Sequence, residues 1–263
     1  MLRRWVAGWR ERREDAAVAR RAIRDDLWKR TLVRYPFLKR RDPEAAALLR
    51  RMTSLFLDRK EFDARPGVRL TDDVVVAVAA QACLPVLRLG LERYEGFVGI
   101  VLHPDLVVAR RSVVDEDDVV HEYDEELAGE AVSGGPVMLS WRDVRGAGRS
   151  AAEAFNVVIH EFAHVLDMAD GVPDGVPLLP RELPRAEWLG VLEADYEAFA
   201  KRVDGGDEDT ALDPYGAQSL DEFFAVASEA FFVAPRPMKA EHPALYGVFC
   251  RFYRQDPAEE MPA

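Results

Sequence analysis

A chain of 263 residues suits one large domain or one domain with appendages, and a composition 49% hydrophobic and 31% charged is that of an ordinary globular protein with a sizeable core. The formal net charge of −12 argues against a general nucleic-acid binder, although residues 1–40 carry 13 Lys/Arg against 5 Asp/Glu. No apolar run reaches the roughly 18 residues a membrane helix needs, the N-terminus lacks the apolar core of a secretory signal, and Cys83 and Cys250, without metal-type spacing, read as buried free thiols of a reducing cytoplasm.

Residues 1–30 read as a basic helix with Leu2, Trp5, Val6 and Trp9 at helical spacing. The apolar face is lost after Trp9, so residues 1–40 are expected to be a basic N-terminal helical arm, packed or loosely attached, rather than a membrane-surface helix. Residues 41–263 are expected to form a single domain. Pro43 opens a helix from Glu44 to about Arg59, and Lys60 to Leu70 is a turn-rich link. Thr71 or Asp72 caps a buried helix from Asp73 to about Cys83. A strand runs from Val98 to Leu102, stopped by His103-Pro104. Val107–Val108 and Val113–Val114 read as short strands, and Asp115 to Glu126 as a solvated acidic face. Val137 to Trp141 is a clear strand and Arg142 to Ala151 a loop. Gly171 to Pro184, rich in Pro and Gly, reads as a cleft rim. Glu187 to Val203 reads as an amphipathic helix, and Leu220 to about Val233 as a core helix stopped by Pro235 and Pro237. Ala244 to about Arg254 is the last helix.

One stretch carries chemistry: Asn156-Val-Val-Ile-His160-Glu161-Phe-Ala-His164-Val-Leu-Asp167. On a helix, His160 and His164 lie one turn apart on the same face and can present two imidazoles to one metal ion. Glu161 sits beside the first of them, near enough to hold a water at the metal. The rest of the stretch is apolar almost all round, as in a helix crossing a core, where a Glu and two His would be costly without a metal or a partner. The strand just upstream, Val137 to Trp141, is the candidate edge that would pair with an extended peptide backbone.

A catalytic zinc site typically has three protein ligands. His103, His121 and His242 all lie off the apolar helices, and no third His follows His164 at close spacing. Glu222 and Glu229 are better candidates, because they stand seven apart on one face of the apolar Leu220–Val233 helix. One would ligate and the other orient a histidine. Spacing leaves the assignment open, and Glu222 also suits a plain helix start. Asp167 is either a partner for a ligand imidazole or the polar end of its helix.

The His160–Asp167 block, with Asp213-Pro-Tyr215 and Glu222-Phe-Phe-Ala-Val-Ala-Ser-Glu229, resembles the Mlc titration factor A family of bacterial zinc metallopeptidases. Ala80-Gln-Ala-Cys-Leu-Pro-Val-Leu87, Gly134-Gly-Pro-Val-Met-Leu-Ser-Trp141 and Phe252-Tyr-Arg-Gln-Asp-Pro257 extend the similarity over about residues 45–257. The resemblance implies an α+β fold: a mostly helical zincin-like metallopeptidase domain with a small mixed sheet whose edge strand precedes the active-site helix. It implies a gluzincin-type Zn2+ site with His160, His164 and Glu222 as metal ligands and Tyr215 facing the metal, as in lethal-factor-like peptidases. Val132 stands where the family has Trp, which touches only local packing or substrate contacts.

The expected activity is zinc-dependent peptide hydrolysis, aminopeptidase-like, on a peptide or protein substrate. Glu161 is the expected general base, and Tyr215 the donor to the oxyanion. The family name points to a transcriptional repressor of sugar uptake as a further partner, so a regulatory zinc-containing binding protein is the alternative reading, and a hydrolase of non-peptide substrates another. A cytoplasmic monomer without nucleic-acid partners is expected.

Overall fold

Short polar side chains and prolines set the helix starts of this chain. In the computed structural model, Asp42 caps α3 (Pro43–Arg59) by accepting from Ala45 N at 2.8 Å, with Pro43 in the first turn. Thr71 precedes α4 (Asp72–Cys83), whose residues from Val76 to Cys83 are all buried. The structure describes residues 2–39, 41–114, 120–132, 134–149, 154–207 and 209–259; for residues 2–8, 10, 107–114 and 120–127 it describes the backbone.

The basic N-terminal segment forms α1 (Leu2–Arg20) and α2 (Asp25–Arg34). Arg20 pairs with Asp58 at 3.0 Å, and Asp15 with Arg51 at 2.8 Å, tying α1 to α3. Such exposed pairs contribute little each, so the apolar contacts matter more. Ala17, Ile23, Leu27, Trp28, Tyr35, Phe37 and Leu38 are buried in the same core as the rest of the chain.

The main sheet has four strands: β1 (Glu61–Ala64), β2 (Gly99–His103), β5 (Gly129–Ala131) and β6 (Val137–Ser140). Their order is β1-β2-β6-β5; the first three are parallel and β5 is antiparallel to β6. Strands β3 (Val107–Val114) and β4 (Val120–Leu127) pair as a separate antiparallel hairpin, with Val107 opposite Leu127. An α+β fold, mostly helical with a small mixed sheet, is what the sequence implies and what the structure has.

The edge strand differs from expectation. Val137–Ser140 is an interior strand, paired with Ile100–His103 on one side and with Gly129–Ala131 on the other. Val137 and Leu139 are buried, and Trp141 already opens a short helix, α5 (Trp141–Gly146), capped by Ser140. The edge beyond it is the three-residue β5, too short to stand out as a strand. Three further segments differ. The Lys60–Leu70 link contains β1, and the Arg142–Ala151 loop contains α5. Pro235 does not merely stop a helix but starts α9 (Pro235–Glu241) from its first position. Of the acidic run, Val120–Glu126 lies in β4 and residues 115–119 fall outside those described. Cys83 and Cys250 are both free, the first buried and the second half-buried.

Helix α6 (Val157–Asp167) runs through the middle, packed on β5, β6, α4 and α8 (Leu220–Val233). Phe162 meets the rings of Phe56, Tyr94 and Phe97 at 5.7, 5.0 and 5.7 Å. On the other side α8 is buried all round. Its Phe224 packs on Trp188 of α7 (Arg185–Asp204) and on Phe249 and Phe252 of α10 (Pro243–Tyr253). Among the described residues, no helix is long and apolar enough to cross a membrane.

The rim after α6 hangs on one glycine. Gly175 N donates to Asp167 Oδ2 at 3.0 Å, and Gly175 O accepts from Trp188 Nε1 at 2.9 Å. Its φ is +74°, and a Cβ there would sit 2.7 Å from Leu220 O. Gly175→Ala is expected to cost about 1–3 kcal/mol, lowering the melting temperature by several degrees. A thermal melt within one degree of wild type would show that the loop is not held as described.

Candidate metal centre

Helix α6 starts at Asn156, whose side chain accepts from Ile159 N at 3.0 Å. One turn on, His160 and His164 leave the same face toward α8. Helix α8 starts at Ser219, whose hydroxyl accepts from Glu222 N at 3.4 Å. Glu222 thus occupies the third helical position, where an acid suits the helix dipole. Its carboxylate nevertheless faces α6: Oε2 lies 3.1 Å from His160 Nε2 and 3.4 Å from His164 Nε2. The two Nε2 atoms are 3.1 Å apart.

Three lone-pair atoms therefore meet, and buried Glu222 Oε2 makes no hydrogen bond of good geometry. Such a contact among acceptors is unfavourable unless a cation or a proton sits between them. Among the described residues, His160, His164 and Glu222 form a group placed to share one ion. A tetrahedral ion with bonds of about 2.0–2.1 Å has donor–donor edges of about 3.3 Å, which the three separations match. Two imidazoles and a carboxylate also suit zinc chemically. The donor set fits a metal.

Glu229, two turns along α8 from Glu222, holds the other side of His160. Its Oε1 lies 2.8 Å from His160 Nδ1. With Nδ1–H donating to that carboxylate, the Nε2 lone pair is left for the cluster. Both glutamates that spacing singled out are at the site, on opposite nitrogens of one ring. Asp167 is not on an imidazole but holds the Gly175 loop, and burial pushes its carboxyl up to about 7.

Glu161 is buried, and burial pushes its carboxyl up to about 6 against the pull of the two histidines. It lies flat on strand β5. A Cβ on Gly129 would come within 2.6 Å of Glu161 Cγ and Oε1. The absence of a side chain at Gly129 is therefore what lets the carboxylate reach the site. No pattern in the sequence marks Gly129. Tyr215 follows Asp213, whose carboxylate accepts from Tyr215 N at 2.9 Å and folds a short 3-10 turn against α8. Its ring centre is 6.1 Å from that of His160. These side chains line a cleft of about 500 Å³, with Asp213, Asp221 and the β5 edge along its walls.

Charge makes the cluster pH-sensitive. Burial alone would push Glu222 up, yet the two imidazoles hold its carboxyl well below the usual range. Burial opposes a proton on His160, but Glu222 and Glu229 raise its value well above that of a free imidazole. A metal ion entering the site competes with the proton that these carboxylates favour on His160. Zinc binding is expected to release about one proton at pH 7 and to weaken as pH falls. Calorimetry in two buffers of different ionisation enthalpy reads this directly, and no proton release would contradict it.

Comparison with known proteins covers nearly the whole chain. The model of the glucose-regulated metallo-peptidase M90 family matches residues 7–254. The chain is 35% identical over 240 residues to Mlc titration factor A of Salmonella arizonae, covering 90% of this chain and 94% of that one. It is 39% identical over 197 residues to the Mlc titration factor A of Edwardsiella ictaluri, 74% of each chain. An uncharacterized protein of Synechocystis is 34% identical over 225 residues, 85% of this chain and 82% of its own. With a metal-fitting donor set at its centre and these relatives along its length, the chain belongs to the M90 family of glucose-regulated metallopeptidases, among the Mlc titration factor A proteins.

Proposed function

We propose that this metallopeptidase uses zinc, held by His160, His164 and Glu222, to hydrolyse peptide bonds in an aminopeptidase-like manner. Glu161 is the general base and Tyr215 the oxyanion donor. The observation that carries the reading is the triangle of three ligand atoms at 3.1, 3.1 and 3.4 Å with a buried carboxylate beside it. Bound zinc supplies Lewis-acid polarisation and lowers the pKa of water. The chain's own groups do the rest. Glu161, with a value near 6, takes a proton at its carboxylate and passes it to the leaving amine, a role typically worth about 10²–10⁴ in rate. The Tyr215 hydroxyl donates to the oxygen that gains charge. Glu229 fixes the ring of His160 through Nδ1–H.

The edge strand Gly129–Ala131 runs along the cleft and offers main-chain groups to an extended peptide. Asp213 and Asp221 line the same cleft and favour a substrate with a cationic amino terminus. A free Cys83 and Cys250 fit a cytoplasmic setting. The relatives' name, Mlc titration factor A, supports a second role in binding a regulatory protein, for which the transcriptional repressor implied by the family resemblance is the candidate. A buried general base beside the metal favours catalysis over a purely regulatory role.

Turnover of aminoacyl and internally quenched peptides, with and without a chelator, tests the reading. Chelator-sensitive release of amino-terminal residues is the expected result, and no chelator-sensitive cleavage of any peptide would sink it. Glu161→Gln is expected to lower kcat by at least about 100-fold with zinc content unchanged; retained activity would remove Glu161 from the base role. Gly129→Ala is expected to lower kcat by about 100-fold by displacing the Glu161 carboxylate, again with zinc retained. Wild-type kcat in that variant would show that Glu161 does not depend on the bare strand.

A further inference from the structure

Behind His160 lies a closed set of buried hydrogen bonds that reaches a helix on the far side of α6. Gln81 on α4 and Asn156 are fully buried, and Glu229 is 2% exposed. The Gln81 amide donates from Nε2 to Ala77 O, one turn back on its own helix, at 3.0 Å. This fixes the amide so that Oε1 faces Asn156 and accepts from Asn156 Nδ2 at 2.9 Å. Asn156 is thereby fixed in turn, with Oδ1 toward Ile159 N as the cap of α6. The backbone N–H of Asn156 then donates to Glu229 Oε2, and Glu229 Oε1 takes Nδ1–H of His160.

We infer that Gln81, together with Asn156, is a positioning pair for the metal centre. The pair sets the Glu229 carboxylate, and through it the tautomer and rotation of His160. The inference rests on the zinc reading above.

The physical reason is that each buried polar atom in the set is satisfied in one arrangement only. Without the Gln81 acceptor, the Asn156 amide loses the partner that decides which end faces Ile159 N. The first turn of α6 loosens, and the Asn156 N–H no longer points steadily at Glu229. A buried carboxylate deprived of a donor turns away toward another partner. That change removes the acceptor from His160 Nδ1 and leaves the tautomer that presents Nε2 to the ion unselected. A polar set that only stabilised the core would have no such consequence for the ion.

The test is metal affinity rather than turnover. Gln81→Met keeps the volume and removes both hydrogen bonds. It is expected to raise the zinc Kd, read by competition with a chromogenic chelator, about tenfold, the lower end of what such outer partners give. It is also expected to shift the visible absorption of the cobalt(II)-loaded protein. Gln81→Glu should restore near wild-type values, because a carboxyl held protonated by burial offers the same acceptor and donor. Thr53→Val removes a buried hydroxyl that bonds Leu49 O on α3, outside the set, and is expected to change neither readout. Where Gln81→Met does not fold, Gln81→Asn, one methylene short of Asn156, serves the same comparison. A Kd and cobalt spectrum identical to wild type in the folded variant would overturn the inference, as would equal losses in Thr53→Val. A wild-type protein that binds no zinc would overturn this inference and the zinc reading together.

Discussion

The packing of α6 against α8 is the constraint on which the rest of this structure depends. Both helices are apolar almost all round, and both are buried on nearly every side. Their few polar side chains are largely withdrawn from water and answer one another across the shared interface. His160 and His164 from one helix therefore meet Glu222 and Glu229 from the other. The aromatic groups around Phe162 and around Phe224 press the pair together from outside. The site is a product of core packing more than of loop geometry.

Within that interface, His160 stands between two carboxylates, one at each ring nitrogen. This arrangement selects a tautomer and balances charge at once. Glu229 takes the Nδ1 proton, so Nε2 keeps a lone pair, and Glu222 supplies the negative charge that a divalent ion or a proton then neutralises. Glu161 is held differently. Its neighbour is a bare stretch of backbone, and the lack of a side chain at Gly129 decides how close the carboxylate stands to the cleft. The rim opposite is fixed by Gly175, clamped between Asp167 and Trp188.

The contacts at His160 and Glu161 join segments far apart in the chain. Asn156 starts a helix, caps it, and by its own N–H reaches a carboxylate 73 residues later. Tyr215 is brought to the site by a turn that Asp213 folds locally, but α8 decides where that turn rests. The N-terminal helices, with their basic excess, contribute Leu27, Trp28 and Tyr35 to the common core while their charges pair with α3 and α4 at the surface.

The sequence by itself determined the helices that carry the site and the residue types on them. Periodicity, caps and prolines are local, and His160, Glu161 and His164 are one turn of one helix. Spacing alone also narrowed the remote acid to Glu222 or Glu229, because both lie on one face of an apolar helix. Only the tertiary structure decided that both stand at the site, on opposite nitrogens of His160. It also decided that β5 rather than Val137–Ser140 is the edge beside the cleft, and that Gly129, Gln81 and Asn156 pack around the centre. The physical reason is the same each time. An edge strand, a close approach and a buried hydrogen-bond partner are relations between distant segments, and no periodicity within either segment records them.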